Sequence, residues 1–308
     1  MMFIPVLGAV DILSLLRKYQ LKDYVVHSFQ IGNDNKIYLL LANEVPIFPA
    51  PKEYHYCAIT ILVDWRTGDF LHSSMVDFGM YRQALHYIQP HEDGFLLLGA
   101  RAQLYADNIA DQNALFLNAA GKIISRCCLG DGIQQCIVNK HNLLVTSYWD
   151  EGVFGNYGWH RPIGSPGLII WSAKGTILWK NEKYPIYDCY ALNLDADDCP
   201  WFYYYSDFNL VKINGQNDLV FNPKIAGSSG FLMNKTNTSF IFEAGYGSHC
   251  EFINKRLTGG SFDQGVSTVF SFHDSKMSPK KFHFRTSKAL FLDGNNSLYF
   301  IDIDTIQL

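Results

Sequence analysis

Residues 83–100 read QALHYIQPHEDGFLLLGA: an apolar stretch, a polar turn and a second apolar stretch. The same arrangement recurs at intervals of roughly 40 to 60 residues, with Asn, Asp, Gly or His in each turn. The six copies are residues 25–42, 83–100, 134–149, 189–207, 230–246 and 288–304. A recurring period of this length predicts a repeat architecture in which each copy contributes a β-hairpin.

A second hairpin pattern lies between successive copies, as at residues 61–71 and 115–125. Two hairpins make four antiparallel strands, the blade of a β-propeller. The sequence therefore predicts an all-β fold, a six-bladed β-propeller of four-stranded antiparallel blades in one domain, 1–308. The predicted blades are residues 24–82, 83–133, 134–187, 188–228, 229–287, and 288–308 plus 2–23. We expect the N-terminal segment, most simply residues 3–7, to supply the missing outer strand and close the ring.

Residues 11–20 interrupt the strand pattern. Ile12, Leu15 and Leu16 have helical spacing behind Asp11, a residue that caps helices well. A short helix is predicted here, with an outer strand as the alternative.

Composition limits the classes of partner. The 308 residues are 48% hydrophobic and 18% charged, with a formal net charge of −4. A negative chain is poorly suited to a nucleic-acid backbone, which clustered Lys and Arg usually bind. No basic residue precedes the apolar N-terminus, and no apolar run approaches the roughly 18 residues of a membrane span. We expect a cytoplasmic monomer with no membrane or nucleic-acid partner.

The seven cysteines are odd in number and lack CxxC spacing. This usage predicts buried, reduced thiols. A disulfide between Cys189 and Cys199 is the alternative.

Strand direction predicts where the long loops lie. In an antiparallel blade, the first and third turns emerge on one face, and the second turn and the link to the next blade emerge on the other. The long insertions all fall in the second set, at residues 43–55, 101–113, 150–166 and 247–265. Since loops on a rigid scaffold commonly carry function, the binding site is predicted on this face.

The third of these loops contains WDEGVFGNYGWHRPIG, from Trp149 to Gly164. With DCYALN at 188–193 and YYSDF at 204–208, it resembles a group of uncharacterised bacterial proteins that share WDEGVFGNxGW, DCYALN and YxDF phrases. The resemblance is clearest over residues 147–211. It implies a shared propeller-like scaffold and assigns no catalytic residue.

Aromatic anchors beside carboxylates are the usual composition of a protein-interface hot spot. The predicted partner-binding residues are Asp150, Glu151, Phe154, Tyr157, Trp159 and His160. The alternative is that the glycines shape a tight loop and the aromatic side chains fold back over the blades.

A second candidate site is the mouth of the central channel, where the innermost strands begin. The predicted residues there are Arg82, Gln83, Gln134 and Asp188. Asp188 is the one carboxylate of the set, so we expect it to bond neighbouring backbone amides rather than a catalytic metal. Asp195, Asp197 and Asp198 suggest a calcium loop, but no later Gly or bidentate Glu follows, and a plain turn is predicted.

The sequence contains no GxSxG, HExxH, GxxxxGK or strand-following GxGxxG motif. We therefore expect a non-enzymatic, cofactor-free and metal-free module that binds another protein. The narrower hypothesis is an immunity-type inhibitor that covers the basic surface of a toxin domain. The alternatives are a metal-dependent hydrolase or lactonase, or a small-molecule sensor, with its site in the channel.

Overall fold

The computed structural model describes residues 1–215 and 217–306. The chain divides into two compact units. The mid-chain unit consists of Tyr19–Leu62 and His72–Cys189. The terminal unit consists of Met1–Lys18, Val63–Leu71 and the residues from Tyr190 onward.

Three four-stranded sheets belong mainly to the mid-chain unit, and in each the strands pair in chain order. Sheet I contains Val25–Ile31, Ile37–Ala42, Tyr54–Val63 and Phe70–Tyr81. Sheet II contains Tyr87–His91, Gly94–Leu98, Ala114–Leu117 and Ile123–Cys127. Sheet III contains Ile133–Val138, Leu144–Tyr148, Leu168–Trp171 and Ile177–Lys180.

Three further sheets belong mainly to the terminal unit. Sheet IV contains Asp188–Leu194, Pro200–Tyr205, Asn209–Lys212 and Leu219–Phe221. Sheet V contains Phe231–Met233, Ser239–Glu243, Phe252–Thr258, Ser261–Phe262, Val266–Phe272, Ser275–Lys276 and Met2–Pro5. Sheet VI contains Lys281–Arg285, Lys288–Leu292, Ser297–Asp302 and Gly8–Asp11.

The helical segments are short. They are the α-helices Ile12–Lys18 and Asp150–Phe154 and the 3-10 turns Ala106–Asn108 and Ile303–Thr305. The first helix confirms the prediction for residues 11–20, because the Leu13 N–H donates to Asp11 Oδ1 at 2.9 Å.

Within each unit, consecutive sheets pack face to face. In the mid-chain unit, one core cluster joins sheets I and II through Tyr56 and Leu97, and another joins sheets II and III through Leu96 and Tyr148. In the terminal unit, large aromatic side chains join sheet IV to V and sheet V to VI. The strands are rich in β-branched and aromatic residues because each sheet packs against a neighbour in its unit, and sheets II and V do so on both faces.

The chain is therefore an all-β protein of the propeller type, built from four-stranded antiparallel blades. The predicted count of six such blades is wrong, since five sheets have four strands and sheet V has seven. Residues 247–265, predicted as a long loop, contain the strand Phe252–Thr258, a central strand of sheet V. The polar residues of that strand concealed it in the sequence.

The N-terminal segment also pairs differently from the prediction. Met2–Pro5 pairs in parallel with Val266–Phe272 of sheet V, and Gly8–Asp11 pairs with Ser297–Asp302 of sheet VI. The fourth strand of sheet VI is thus residues 8–11 rather than 3–7. In addition, Lys281–Arg285, which the sequence assigned to the fifth repeat, forms an edge strand of sheet VI.

A five-residue turn with one hydrogen-bond pattern recurs in four sheets. Its first side chain accepts hydrogen bonds from the backbone N–H groups two and four residues later, at 2.8–3.2 Å. The fourth residue has a positive φ between 58° and 75°. The first residues of these turns are Asn118, Asn139, Ser172, Asp195 and Asp293. Short polar side chains suit the first position and Gly, Asn or Asp the fourth.

This pattern explains the suspected calcium loop. Asp195 is the first residue of its turn and Asp198 is the residue with positive φ. Asp195 also pairs with Lys212 at 2.7 Å and accepts from the Trp201 indole. The oxygens of Asp195 are therefore engaged by the turn and by buried donors, as a structural turn requires.

All seven cysteines are free, and the alternative disulfide between Cys189 and Cys199 is not formed. The sequence predicts burial for all of them, but only Cys57, Cys136 and Cys189 are buried, and the other four are partly exposed. Burial raises the pKa of Cys127 and Cys128 to about 11, so these thiols are protonated at neutral pH.

Replacing Asn118 tests the recurring turn. Asn118→Ala removes two acceptor contacts and should lower the free energy of unfolding by about 1–2 kcal/mol. Asn118→Asp keeps the acceptor and should stay close to wild type. Urea unfolding of the three proteins measures the difference, and equal stabilities would contradict a role for the side-chain oxygen.

Two glycines with nearly equal φ test the packing of the N-terminal segment. A Cβ on Gly68, at φ +82°, would lie 2.2 Å from the Leu7 carbonyl oxygen, whereas one on Gly79, at φ +85°, meets nothing within 4 Å. Gly79→Ala should cost about 1–2 kcal/mol for its backbone conformation alone. Gly68→Ala should cost about 2 kcal/mol more, because a backbone atom must move. Equal losses in thermal unfolding would show that the segment does not pack on this turn in solution.

Candidate functional site

Three long loops of the mid-chain unit meet at one place. Loop A is residues 43–53, loop B is residues 101–113 and loop C is residues 149–166, and each joins the second and third strands of its sheet. The Leu104 N–H of loop B donates to the Tyr157 carbonyl of loop C at 2.9 Å. Phe48 of loop A packs edge-on against the Tyr157 ring, with centroids 4.9 Å apart. Three of the four predicted loops are thus in mutual contact.

Arg101 is the polar centre of this contact. Its Nε lies 2.9 Å from Asp131 Oδ1, and its Nη1 pairs with Glu151 Oε2. The guanidinium carbon is 4.5 Å from the centroid of the Tyr157 ring and 5.2 Å from that of Trp149. One guanidinium therefore combines two ion pairs with two cation–π contacts and ties loop B to loop C.

The ion pairs fix the charge of the site. The Asp131 side chain is fully buried and also accepts from the Ala102 N–H at 2.9 Å. The hydrogen bond from Arg101 lowers the pKa of Glu151. Removing the cation would leave a buried carboxylate without compensation, so Arg101 is a structural member of the site.

Trp159 is not the exposed anchor that the sequence predicted. Its side chain is buried, and the indole N–H donates to the Ala102 carbonyl at 2.7 Å. Gly158 permits this fold-back, because a Cβ there would lie 2.2 Å from the Leu104 carbonyl oxygen. For Trp159, the alternative prediction is correct, namely that the aromatic side chains of loop C fold back over the blades.

The other predicted partner-binding residues divide into two groups. Glu151 is ion-paired and Tyr157 is half-buried on Arg101. Asp150, Phe154 and His160 are exposed. Their role in binding stays a prediction.

Beside Phe154, which the sequence predicted, the loops carry four exposed apolar side chains that it did not: Val45, Ile47, Tyr105 and Ile109. Phe154 is 64% exposed, Val45 63%, Ile109 63%, Ile47 56% and Tyr105 48%. We call these five residues the loop surface. The available signal was the presence of isolated aliphatic residues in otherwise polar loops, where no periodic pattern buries them.

A cleft of about 540 Å³ lies between loops A and B. Arg82 and Gln83, predicted at a channel mouth, line this cleft. Arg82 donates to the Ala50 and Pro51 carbonyls, and Gln83 donates to the Gln112 carbonyl.

The other two residues of the predicted channel mouth do not line the cleft. The backbone carbonyl of Gln134 accepts from the Tyr87 hydroxyl at 2.8 Å. Asp188 begins the first strand of sheet IV, and its Oδ1 is buried with no hydrogen-bond partner among the described residues. The expected bonds to backbone amides do not reach this oxygen. Burial, with the nearby Asp150 carboxylate, raises the pKa of Asp188 to about 7.

The described residues contain one group of potential metal ligands, His55, Cys57 and Asp77 of sheet I. His55 Nε2 lies 3.1 Å from Asp77 Oδ1, whereas Nδ1 lies 2.7 Å from the Tyr24 hydroxyl and 3.8 Å from Cys57 Sγ. One ligand atom from each of the three residues lies within 4.8 Å of the other two, and both ring nitrogens of His55 are close to side-chain partners. Burial raises the pKa of Cys57 to about 12. The arrangement is that of a hydrogen-bonded network.

Aromatic residues of the phrases DCYALN and YYSDF come together in the terminal unit. Tyr190, Tyr203, Tyr205 and Phe208 form an aromatic cluster with Tyr246, with ring centroids 5.6–6.5 Å apart. The Tyr190 and Tyr246 hydroxyls are 2.5 Å apart. The two phrases thus share a packing role, which their separation in sequence did not reveal.

No protein-family model and no curated protein matches the sequence. Among solved structures, the chain is similar to the Neurospora crassa Pan2 WD40 domain, with 8% identity and a TM-score of 0.47 over 96% of this chain and 94% of that one. It is similar to the β-propeller domain of Myceliophteria thermophila Cps50 (Swd1), with 10% identity and a TM-score of 0.47 over 89% and 81%. A catalytically inactive virginiamycin B lyase from Staphylococcus aureus, solved with quinupristin, has 10% identity and a TM-score of 0.44 over 90% and 94%. At these values no function is transferred.

No helix within the described ranges is both long enough and apolar enough to cross a membrane.

Asp188→Asn tests the buried carboxyl group. Its folded pKa of about 7 lies above the ordinary 3.8, so between about pH 4 and pH 7 the folded state holds a proton that the unfolded state has released. The free energy of unfolding should therefore fall as pH rises through this window, and asparagine should remove that part of the slope. Urea unfolding at pH 5 and pH 8 measures it, with the exposed Asp93→Asn as control. Equal slopes for wild type and Asp188→Asn would contradict the assignment.

Proposed function

We propose that this protein binds another protein through the loop surface. The observation that carries the proposal is the set of five large apolar side chains, each 48–64% exposed, on three loops in mutual contact. Isolated exposed apolar residues are common, but several on converging loops are typical of an interaction site.

The support beneath the loop surface suits a binding role. Arg101 joins loops B and C by ion pairs, and the buried Trp159 fastens loop C to the Ala102 carbonyl. A surface held in this way loses little conformational freedom on association, which favours affinity. Phe154, on the short helix Asp150–Phe154, is the aromatic member most exposed to a partner.

The narrower hypothesis of an immunity-type inhibitor supposes that Asp150 and Glu151 meet a basic toxin. Arg101 already engages Glu151, whereas Asp150 is exposed and, within the described part of the chain, accepts only from the Glu151 N–H, so Asp150 is the carboxylate of that pair for such a contact. A growth-rescue assay with a toxin encoded beside this chain would test the inhibitor hypothesis separately from binding.

Photo-crosslinking tests the binding site. A benzoylphenylalanine placed at Phe154 should crosslink to one protein in the native cell, whereas one at Leu178, 57% exposed on the edge strand of sheet III, should not. With that partner purified, Phe154→Ser/Val45→Ser should raise Kd at least tenfold, because both side chains are removed from the interface. Leu178→Ser should leave Kd unchanged. Equal crosslinking from both positions, or an unaffected Kd for the double variant, would refute the site.

A further inference from the structure

The cleft between loops A and B is cationic in a chain of negative net charge. Arg82, Arg101 and Arg126 line it, and Asp111 is the one carboxylate in the described lining. Asp111 Oδ2 accepts from the Gln103 N–H at 2.9 Å, so that oxygen is already engaged. Arg101 is already paired with Asp131 and Glu151, so Arg82 and Arg126 are the cations that the cleft offers to a ligand, in a chain whose net charge is −4.

The arginine charges at the rim are not neutralised by the protein. Arg82 donates to the neutral carbonyls of Ala50 and Pro51, both at 3.4 Å. Arg82 and Arg126 are exposed, and neither forms an ion pair within the described part of the chain. Deeper in, Arg101 Nη2 is buried with no hydrogen-bond partner among the described residues. Because the guanidinium of Arg101 is already paired with Asp131 and Glu151, the charges accessible to a ligand are those of Arg82 and Arg126.

The cleft adjoins the loop surface. Tyr105 and Ile109 belong to the loop surface and also line the cleft, together with Phe48. Its volume of about 540 Å³ far exceeds the roughly 30 Å³ of a water molecule, so it can accommodate several groups of a ligand. Guanidinium groups beside apolar walls are suited to a peptide that carries both carboxylates and apolar groups.

We propose that this cleft binds an acidic segment of the protein partner, with its carboxylates on Arg82 and Arg126. The proposal rests on the proposed function, since it names the chemistry of the partner at the edge of the same surface. A nucleic acid is disfavoured because exposed acidic residues lie on all three loops, among them Glu53, Asp107 and Asp150. A peptide with two or three carboxylates can reach the arginines without covering those residues.

Fluorescence anisotropy with the full chain tests the proposal. The probe is an acetylated hexaglutamate peptide carrying rhodamine, with a hexaglutamine peptide as the neutral comparison. Hexaglutamate should bind at least tenfold more tightly than hexaglutamine at 50 mM salt. Arg82→Gln/Arg126→Gln should weaken hexaglutamate binding at least tenfold, while Lys122→Gln/Lys235→Gln, which removes the same charge from exposed sites elsewhere, should change it less than twofold.

Three results would overturn the proposal. Equal loss in both double variants would show a general charge effect. Displacement of the peptide by phosphate, but not by sodium chloride of equal ionic strength, would assign the cleft to a free anion. Tighter binding of a twenty-residue polyuridylate, also lost in Arg82→Gln/Arg126→Gln, would assign it to nucleic acid.

The partner found by crosslinking separates this proposal from the proposed function. If Phe154→Ser/Val45→Ser weakens the complex and Arg82→Gln/Arg126→Gln does not, the cleft proposal fails and the proposed function stands. If neither double variant weakens it, the proposed function fails as well. A tenfold loss in each supports both.

Discussion

The hydrogen bond from a turn's backbone to the oxygen of its first side chain is the interaction on which this architecture depends. Five turns use it, with N–H donors two and four residues beyond Asn118, Asn139, Ser172, Asp195 and Asp293. Each turn sets the register of two strands over a few residues of chain. A one-residue slip would transfer every side chain of a strand to the opposite face, so these local bonds also determine which residues reach the core.

Fixed turns at one end of the sheets leave the opposite end free to vary. Loops A, B and C each follow the second strand of a meander, and the strand pairing beneath them tolerates insertions of different length. Their convergence is maintained by Arg101 and Trp159, both of which bond to atoms distant in sequence. The strand pairing thus determines where the loops begin, and a few polar contacts between residues distant in sequence determine their conformation.

The features that the sequence predicts best are those determined by residues close together in the chain. The hairpins, the capped helix Ile12–Lys18, the positions of loops A, B and C and the Asp195 turn all follow from residues a few positions apart. The sequence predicts poorly those features that depend on contacts between residues distant in the chain. The sequence suggests that Trp159 is exposed, because no neighbouring residue indicates that its indole N–H donates to the Ala102 carbonyl at 2.7 Å.

The same limit applies to sheets and charges. The strand Phe252–Thr258 contains Asn254, Lys255 and Arg256 and reads as a loop until its neighbours in sheet V are known. Arg82 and Arg126 are 44 residues apart in sequence, and no local pattern places them in one cleft.

The N-terminal strands have a consequence for synthesis. Met2–Pro5 and Gly8–Asp11 are translated long before their partners, Val266–Phe272 and Ser297–Asp302. At typical elongation rates, some 15 to 60 s separate the two events. During this time the nascent chain carries apolar strands with unpaired edges, while sheets I to III can already assemble behind them. Sheets V and VI of the terminal unit therefore cannot be completed until the chain has been translated through Asp302, long after the residues of sheets I to III.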